Sequence, residues 1–276
     1  MKIDAHQHFW RYTPEEFDWI GDDMGAIRRD FQPADLTPFL AAAHVDGTVA
    51  VQARQTLAET TELLAHAHRH PFIKGVVGWV PLADPAVGRR LDELGADQKL
   101  KGVRHVLQGE PDAFMADPAF NAGLRAVTAR GLSYDLLVKA PQLPAARALV
   151  DRHPALPFVL DHIAKPVITG APPAGWRRDL AELARRPNVC CKFSGVVTEV
   201  LGLEWTPELL WPYFDVVLAL FGPDRLMFGS DWPVCLVAAE YTRWDRFVES
   251  CVTGLASAER KAILGDTAAK FYRLTP

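Results

Sequence analysis

Two histidines separated by one residue, His6 and His8, end the first apolar segment of the chain, Lys2-Ile3-Asp4-Ala5-His6-Gln7-His8-Phe9-Trp10. Side chains alternate along an extended strand, so both imidazoles face the same side. Far along the chain, Asp231 ends another apolar run, Leu226-Met227-Phe228-Gly229-Ser230-Asp231, before Trp232-Pro233-Val234. Two neutral imidazoles and a carboxylate can ligate one divalent ion such as zinc, and a carboxylate can also act as general base toward water. If the first and last strands are neighbours in a closed barrel, His6, His8 and Asp231 meet at one mouth. That constellation suits hydrolysis by an activated water. The plain alternatives are a hydrogen-bonding histidine pair and a carboxylate that caps a turn.

Other apolar runs also stop at polar residues. They end at Gln52 and Arg54, at Trp79, at Arg104-His105, at Asp161-His162, at Lys192 with Ser194, and at Ser230-Asp231. A merely solvated rim would carry more Glu and Lys and fewer histidines. His162 is the strongest of these after the opening pair, because a buried strand seldom finishes in Asp-His by accident. For Arg104, holding a substrate oxygen competes with a structural ion pair. For His105, catalysis competes with packing. Lys165, just beyond His162, meets either substrate or solvent.

What must position these groups is a regular alternation of strand and helix. Strand-like runs cover residues 47–52, 72–80, 100–106, 132–138, 157–163 and 188–194, and a last one ends near Asp231. Helical spacing covers 57–69, 87–94, 119–130, 143–152, 177–186, 207–221 and 239–251. With the opening segment this makes eight strands. Near-continuous apolar strands fit a parallel sheet covered on both faces, and eight units fit a single-domain (β/α)₈ TIM barrel over residues 1–276. A doubly wound open sheet is the competing architecture. The long connection from Phe9 to His44 is expected to fold over the mouth and line a substrate pocket, or else to pack on the rim through its aromatics. Residues 257–274 read as a closing helix on the barrel exterior.

The chain has 276 residues and a net charge of −4, which gives no reason to expect a nucleic-acid or anionic-membrane partner. No apolar run nears the roughly 20 residues of a membrane span. The start carries no signal-peptide core, and the four cysteines match no metal or redox spacing, so a cytoplasmic location with reduced thiols is expected. No G-x-G-x-x-G or G-x-x-x-x-G-K-[ST] motif occurs, so no nucleotide cofactor is expected. Nothing in the sequence signals an oligomeric state.

Five stretches in this order resemble the amidohydrolase superfamily, and within it the amidohydrolase-2 branch of sugar lactonases of the L-fuconolactonase and L-rhamnonolactonase type. They are Asp4–Trp10, Gly102-Val103-Arg104-His105, Leu160-Asp161-His162, Cys191-Lys192-Phe193-Ser194-Gly195 and Met227–Val234. Ala50–Arg54 and Val77-Gly78-Trp79 add to the likeness. The resemblance implies a hydrolase that opens a 1,5- or 1,4-aldonolactone. Asp231 would be the base, Arg104, His105 and His162 the oxyanion donors, and Gln52, Arg54 and Trp79 the sugar contacts. The chain departs from the metal-rich members, because its fourth strand ends in Arg104-His105 rather than a lysine and its fifth offers no histidine. A two-metal centre is therefore not expected; one divalent ion on His6, His8 and Asp231, dispensable for the chemistry, or no ion at all, both fit. A metal-dependent nonoxidative decarboxylase, a dicarboxylate lactonase and a barrel that binds without catalysing are the rival readings.

Overall fold

The computed structural model describes residues 1–275. Eight strands pair in parallel and in chain order. β1 spans Ile3–Gln7, β2 Gly47–Val51, β3 Ile73–Gly78 and β4 Leu100–His105; β5 spans Ser133–Leu136, β6 Phe158–Leu160, β7 Val189–Phe193 and β8 Leu226–Phe228. Helices α1 (Pro33–Ala42), α2 (Leu57–Arg69), α3 (Val87–Gly95) and α4 (Pro118–Ala129) follow the first four strands. Helices α5 (Leu143–Arg152), α6 (Ala174–Ala184), α7 (Pro207–Phe221) and α8 (Tyr241–Val252) follow the rest. The helix starts have local causes. The Thr56 hydroxyl accepts from the Glu59 N–H at the head of α2, Asp117 caps α4, and Pro33, Pro118 and Pro207 stand at the first helical position.

The ring closes just past β8. The Asp231 N–H donates to the His6 carbonyl at 2.8 Å, and the His8 N–H donates to the Trp232 carbonyl at 2.7 Å. The fold is the (β/α)₈ barrel, and the open sheet is ruled out. Inside it Ile3, Ala5, Val49, Val51, Val77, Val159 and Met227 form an apolar cluster separate from the larger core between sheet and helices. Among the described residues no helix is long and apolar enough to cross a membrane.

Two expectations change. The closing segment is not one exterior helix; it comprises α9 (Ser257–Lys261), a π-turn (Ala262–Asp266) and α10 (Thr267–Phe271). Its Ala268, Tyr272 and Leu274 join the interior cluster and shut the N-terminal mouth. The reason is polar: Asp135 of β5 points into the lumen, and the Tyr272 hydroxyl donates to that carboxylate, 2.8 and 2.9 Å from its two oxygens. Next, β6 stops at Leu160, since His162, Ile163, Ala164 and Lys165 have φ of 52°, 49°, 63° and 46°, a left-handed turn that a strand cannot contain. Finally, the long first connection does both things expected of it. Trp10 pairs with Phe31 through backbone bonds over a buried Phe17, while Glu16, Trp19 and Met24 face the mouth of the barrel.

Candidate active site

His6 and His8 reach the lumen by way of a β-bulge. Asp4 aligns with Thr48 but Gln7 with Ala50, so three steps along β1 match two along β2. Ile3 and Ala5 face inward below the bulge, and His6 and His8 face inward above it. Strict alternation from Ala5 would have sent both imidazoles outward. Asp4 holds the bulge: its Oδ1 accepts from the His6 N–H at 3.1 Å and the Ser230 N–H at 2.8 Å, and its Oδ2 accepts from the Tyr241 hydroxyl at 3.1 Å. Burial pushes its carboxyl up to about 6. Sequence reasoning gave Asp4 no role, although it lies two residues from His6.

Three imidazoles converge on one oxygen. The Nε2 atoms of His8, His6 and His162 lie 3.2, 3.7 and 3.8 Å from Asp231 Oδ1. Ligands about 2.0–2.2 Å from a tetrahedral zinc stand roughly 3.3 Å apart, so His6, His8 and Asp231 have the spacing of a single-ion site. His8 Nδ1 donates to the Val51 carbonyl at 2.7 Å, which leaves its Nε2 lone pair facing a carboxylate. Two acceptors so close are comfortable only with a proton or a cation between them. His6 Nδ1 lies 3.3 Å from Asp161 Oδ1, the carboxylate–imidazole arrangement that frees Nε2 for a metal, although Arg104 Nη1 approaches that same Nε2 at 3.3 Å. The residues present fit one divalent ion.

The electrostatics agree with neutral imidazoles around an anion. Burial lowers His162 to about 4 against the pull of Asp231 and Asp161. Burial and then Lys192 hold His6 well below the ordinary histidine value. For Asp231 burial acts upward, but His162, His8 and His6 outweigh it and hold the carboxyl well below the usual carboxylate range. Gly195, at φ +61°, lets these groups meet: a Cβ there would lie 2.5 Å from His162 Nδ1 and 2.8 Å from Asp231 Oδ2. His162 Nδ1 is also 2.9 Å from the Ser194 hydroxyl.

Beneath this triad lies a fully desolvated ionic layer. Lys192 Nζ is 2.5 Å from Asp135 Oδ2, 3.0 Å from Asp161 Oδ1 and 3.0 Å from His6 Nδ1. Arg104 Nη1 donates to Asp161 Oδ2 at 3.1 Å. Two cations balance two carboxylates, which is the condition for burying charge at all. Lys192 and Asp161 were visible as polar strand ends; Asp135 and Tyr272 were not, because nothing local marks them.

A cavity of about 780 Å³ opens above, lined by His8, Arg54, Arg104, His162, Lys165 and Asp231 among others. His6, fully buried, lies just beneath it. Other expected residues lie elsewhere. Gln52 is fully buried, and both its side-chain and main-chain oxygens accept from Arg104, so it clamps the guanidinium rather than a sugar. His105 faces away from the cavity because it neighbours inward-facing Arg104 on a strand; its Nε2 meets Glu110 at 3.0 Å and its ring stacks on Phe114. Trp79 donates its indole N–H to His105 Nδ1 at 3.4 Å and is likewise outside. Arg54 lines the cavity but is tied to Glu16 at 2.6 Å. The indole at the cavity is instead Trp19, 41% exposed and edge-on to Trp10.

Comparison with known proteins agrees with this geometry. The family model described as amidohydrolase matches residues 3–274. An L-fucono-1,5-lactonase of Burkholderia multivorans is 42% identical over 289 aligned positions, spanning 99% of this chain and 96% of that one. A second protein of that name, from Burkholderia ambifaria, is 39% identical over 281 positions with the same coverage. A crystal structure of an amidohydrolase from Burkholderia multivorans with bound zinc superposes at a TM-score of 0.95, with 43% identity and 100% of both chains covered. The chain belongs to the amidohydrolase family.

Proposed function

We propose that the chain hydrolyses a sugar lactone, an L-fucono-1,5-lactone or a near relative, to the open aldonic acid. The observation that carries this is the Asp231 carboxylate, ringed by three imidazoles at the floor of a cavity large enough for a six-carbon sugar lactone. Relatives named as L-fucono-1,5-lactonases, similar along their full length, supply the substrate class.

Asp231 takes a proton from water as the water oxygen bonds to the lactone carbonyl carbon, and the carbonyl π pair moves onto oxygen. The intermediate collapses with cleavage of the bond to the ring oxygen, which receives the proton from Asp231. His162 stands beside Asp231 to orient the water or donate to the substrate. Zinc held by His6, His8 and Asp231 would polarise the carbonyl or acidify the water when bound. Lactones are activated esters, so the residues alone already meet much of the demand.

A neutral polyol finds partners in this cavity: Arg54 is held by Glu16 and Arg104 by Asp161, and Glu15, Asp18 and the Trp19 face join the wall. Four free cysteines support a reducing, cytoplasmic setting. The test is acid release from a panel of fresh aldonolactones, with and without chelator. Turnover of pyrone dicarboxylates in preference to every aldonolactone would overturn the reading.

A further inference from the structure

The oxyanion expected from the reaction lacks its obvious partners. A guanidinium has five N–H donors; four of those on Arg104 are engaged, three with Gln52 and one with Asp161, and the fifth faces His6 Nε2 at 3.3 Å. His105 has both ring nitrogens turned away, to Trp79 and Glu110. Of the three donors expected from the sequence, only neutral His162 remains.

The left-handed turn supplies another. Lys165 N–H donates to the His162 carbonyl at 2.7 Å, closing a turn with three residues per repeat, so His162 and Lys165 project on the same side. Both line the cavity. Four consecutive non-glycine residues at positive φ are costly, and such strain persists only where surrounding contacts hold it. Those contacts are present: Trp176 Nε1 donates to the Ile163 carbonyl at 2.8 Å, and Ile163 and Ala164 are fully buried. The Lys165 ammonium lies 3.6 Å from Glu199 Oε1, an ion pair longer than a hydrogen bond, so its N–H groups stay available to a ligand.

The geometry points to Lys165 as a catalytic residue that binds the developing oxyanion and then the carboxylate of the opened acid. This deepens the lactonase reading and rests on it. When water adds, negative charge gathers on the former carbonyl oxygen; after the ring bond breaks, that oxygen is half of the product carboxylate, still facing the ammonium. Arg104, held by Gln52 and Asp161, is then a positioning residue for His6 and Asp161.

The experiment compares wild type with Lys165→Met, Lys165→Asn and Lys165→Arg on the best aldonolactone. The measurements are kcat, KM, inhibition by the corresponding aldonate, and the thermal midpoint. Asparagine tolerates positive φ, so the Asn variant removes charge without adding backbone strain. Expected for both neutral variants is a loss of about 10²-fold in kcat, with KM changed by less than about threefold and aldonate inhibition weakened at least tenfold. Lys165→Arg should recover at least tenfold of the lost kcat. A folded neutral variant with kcat within twofold of wild type, or with unchanged aldonate inhibition, sinks the assignment while wild type remains a lactonase. Wild type that opens no lactone sinks the functional reading, and Lys165 with it.

Discussion

Asp231 donates its backbone N–H to the His6 carbonyl at 2.8 Å, so the bond that closes the barrel also fixes carboxylate against imidazole. The partner bond from His8 N–H to the Trp232 carbonyl brackets the same three residues. Residues 225 positions apart in sequence thus reach their separation through main-chain register, the least yielding element available.

That register makes a clean test of the base. Asp231→Asn keeps the backbone bond and the side-chain shape but cannot accept a proton from water. Removing a general base of this kind costs about 10²–10⁴-fold in rate. Acid release on an aldonolactone should show that loss in kcat from a variant that remains folded. Near wild-type turnover would remove Asp231 as the base.

The donor spacing predicts one zinc per chain. Metal-free protein titrated with zinc in a calorimeter should bind a single equivalent. Truncating even an outer partner costs about 10–100-fold in affinity, so His8→Ala should lose at least that much. Unaltered zinc affinity in His8→Ala would move the ion to another site.

Gly195→Ala should harm activity and stability together. The new Cβ would fall 2.5 Å from His162 Nδ1 and 2.8 Å from Asp231 Oδ2, far inside van der Waals contact. A φ of +61° adds roughly 1–2 kcal/mol for a residue bearing a Cβ. The expected outcome is a kcat at least about tenfold lower, since a displacement of about 1 Å near the chemistry is costly, together with a lower thermal midpoint. A variant as active as wild type would mean that the packing of these two side chains is not needed.

The strand–helix alternation and the pairing of the chain's two ends were legible because they are periodic or local. The bulge at Asp4–Gln7 was not legible, since an extra residue in a strand leaves no compositional mark, yet it decides which way His6 and His8 point. The left-handed turn at 162–165 was missed because no glycine announces it. Trp79 and His105 looked like site residues because they end strands, and one step of alternation relative to Arg104 puts His105 outside. The Asp135–Tyr272 contact joins residues 137 apart, and only the assembled barrel brings them together.

Part of the stability should be lost as pH rises through neutrality. Glu59, buried behind the β2 mouth and accepting from the Ala53 and Arg54 N–H groups at 2.8 Å each, is pushed by burial from 4.5 up to about 7. Asp4 is raised in the same way to about 6. A carboxyl raised on folding binds more protons in the native than in the unfolded state. Its favourable contribution is therefore complete below the unfolded value and is lost as pH climbs through the folded one. Asp161 and Asp231, held low, act oppositely in stronger acid. The histidines that burial holds low, His6 and His162 among them, act oppositely up to about neutrality, where unfolded histidines lose their protons. Across the interval from about 4.5 to about 7, Glu59 alone amounts to about 3 kcal/mol. The wild-type thermal midpoint should therefore lose ground against that of Glu59→Gln, which cannot ionise, between about pH 5 and about pH 8, even though the variant starts lower for want of a second acceptor. A difference between the two proteins that stays constant over that interval would show that Glu59 does not titrate there.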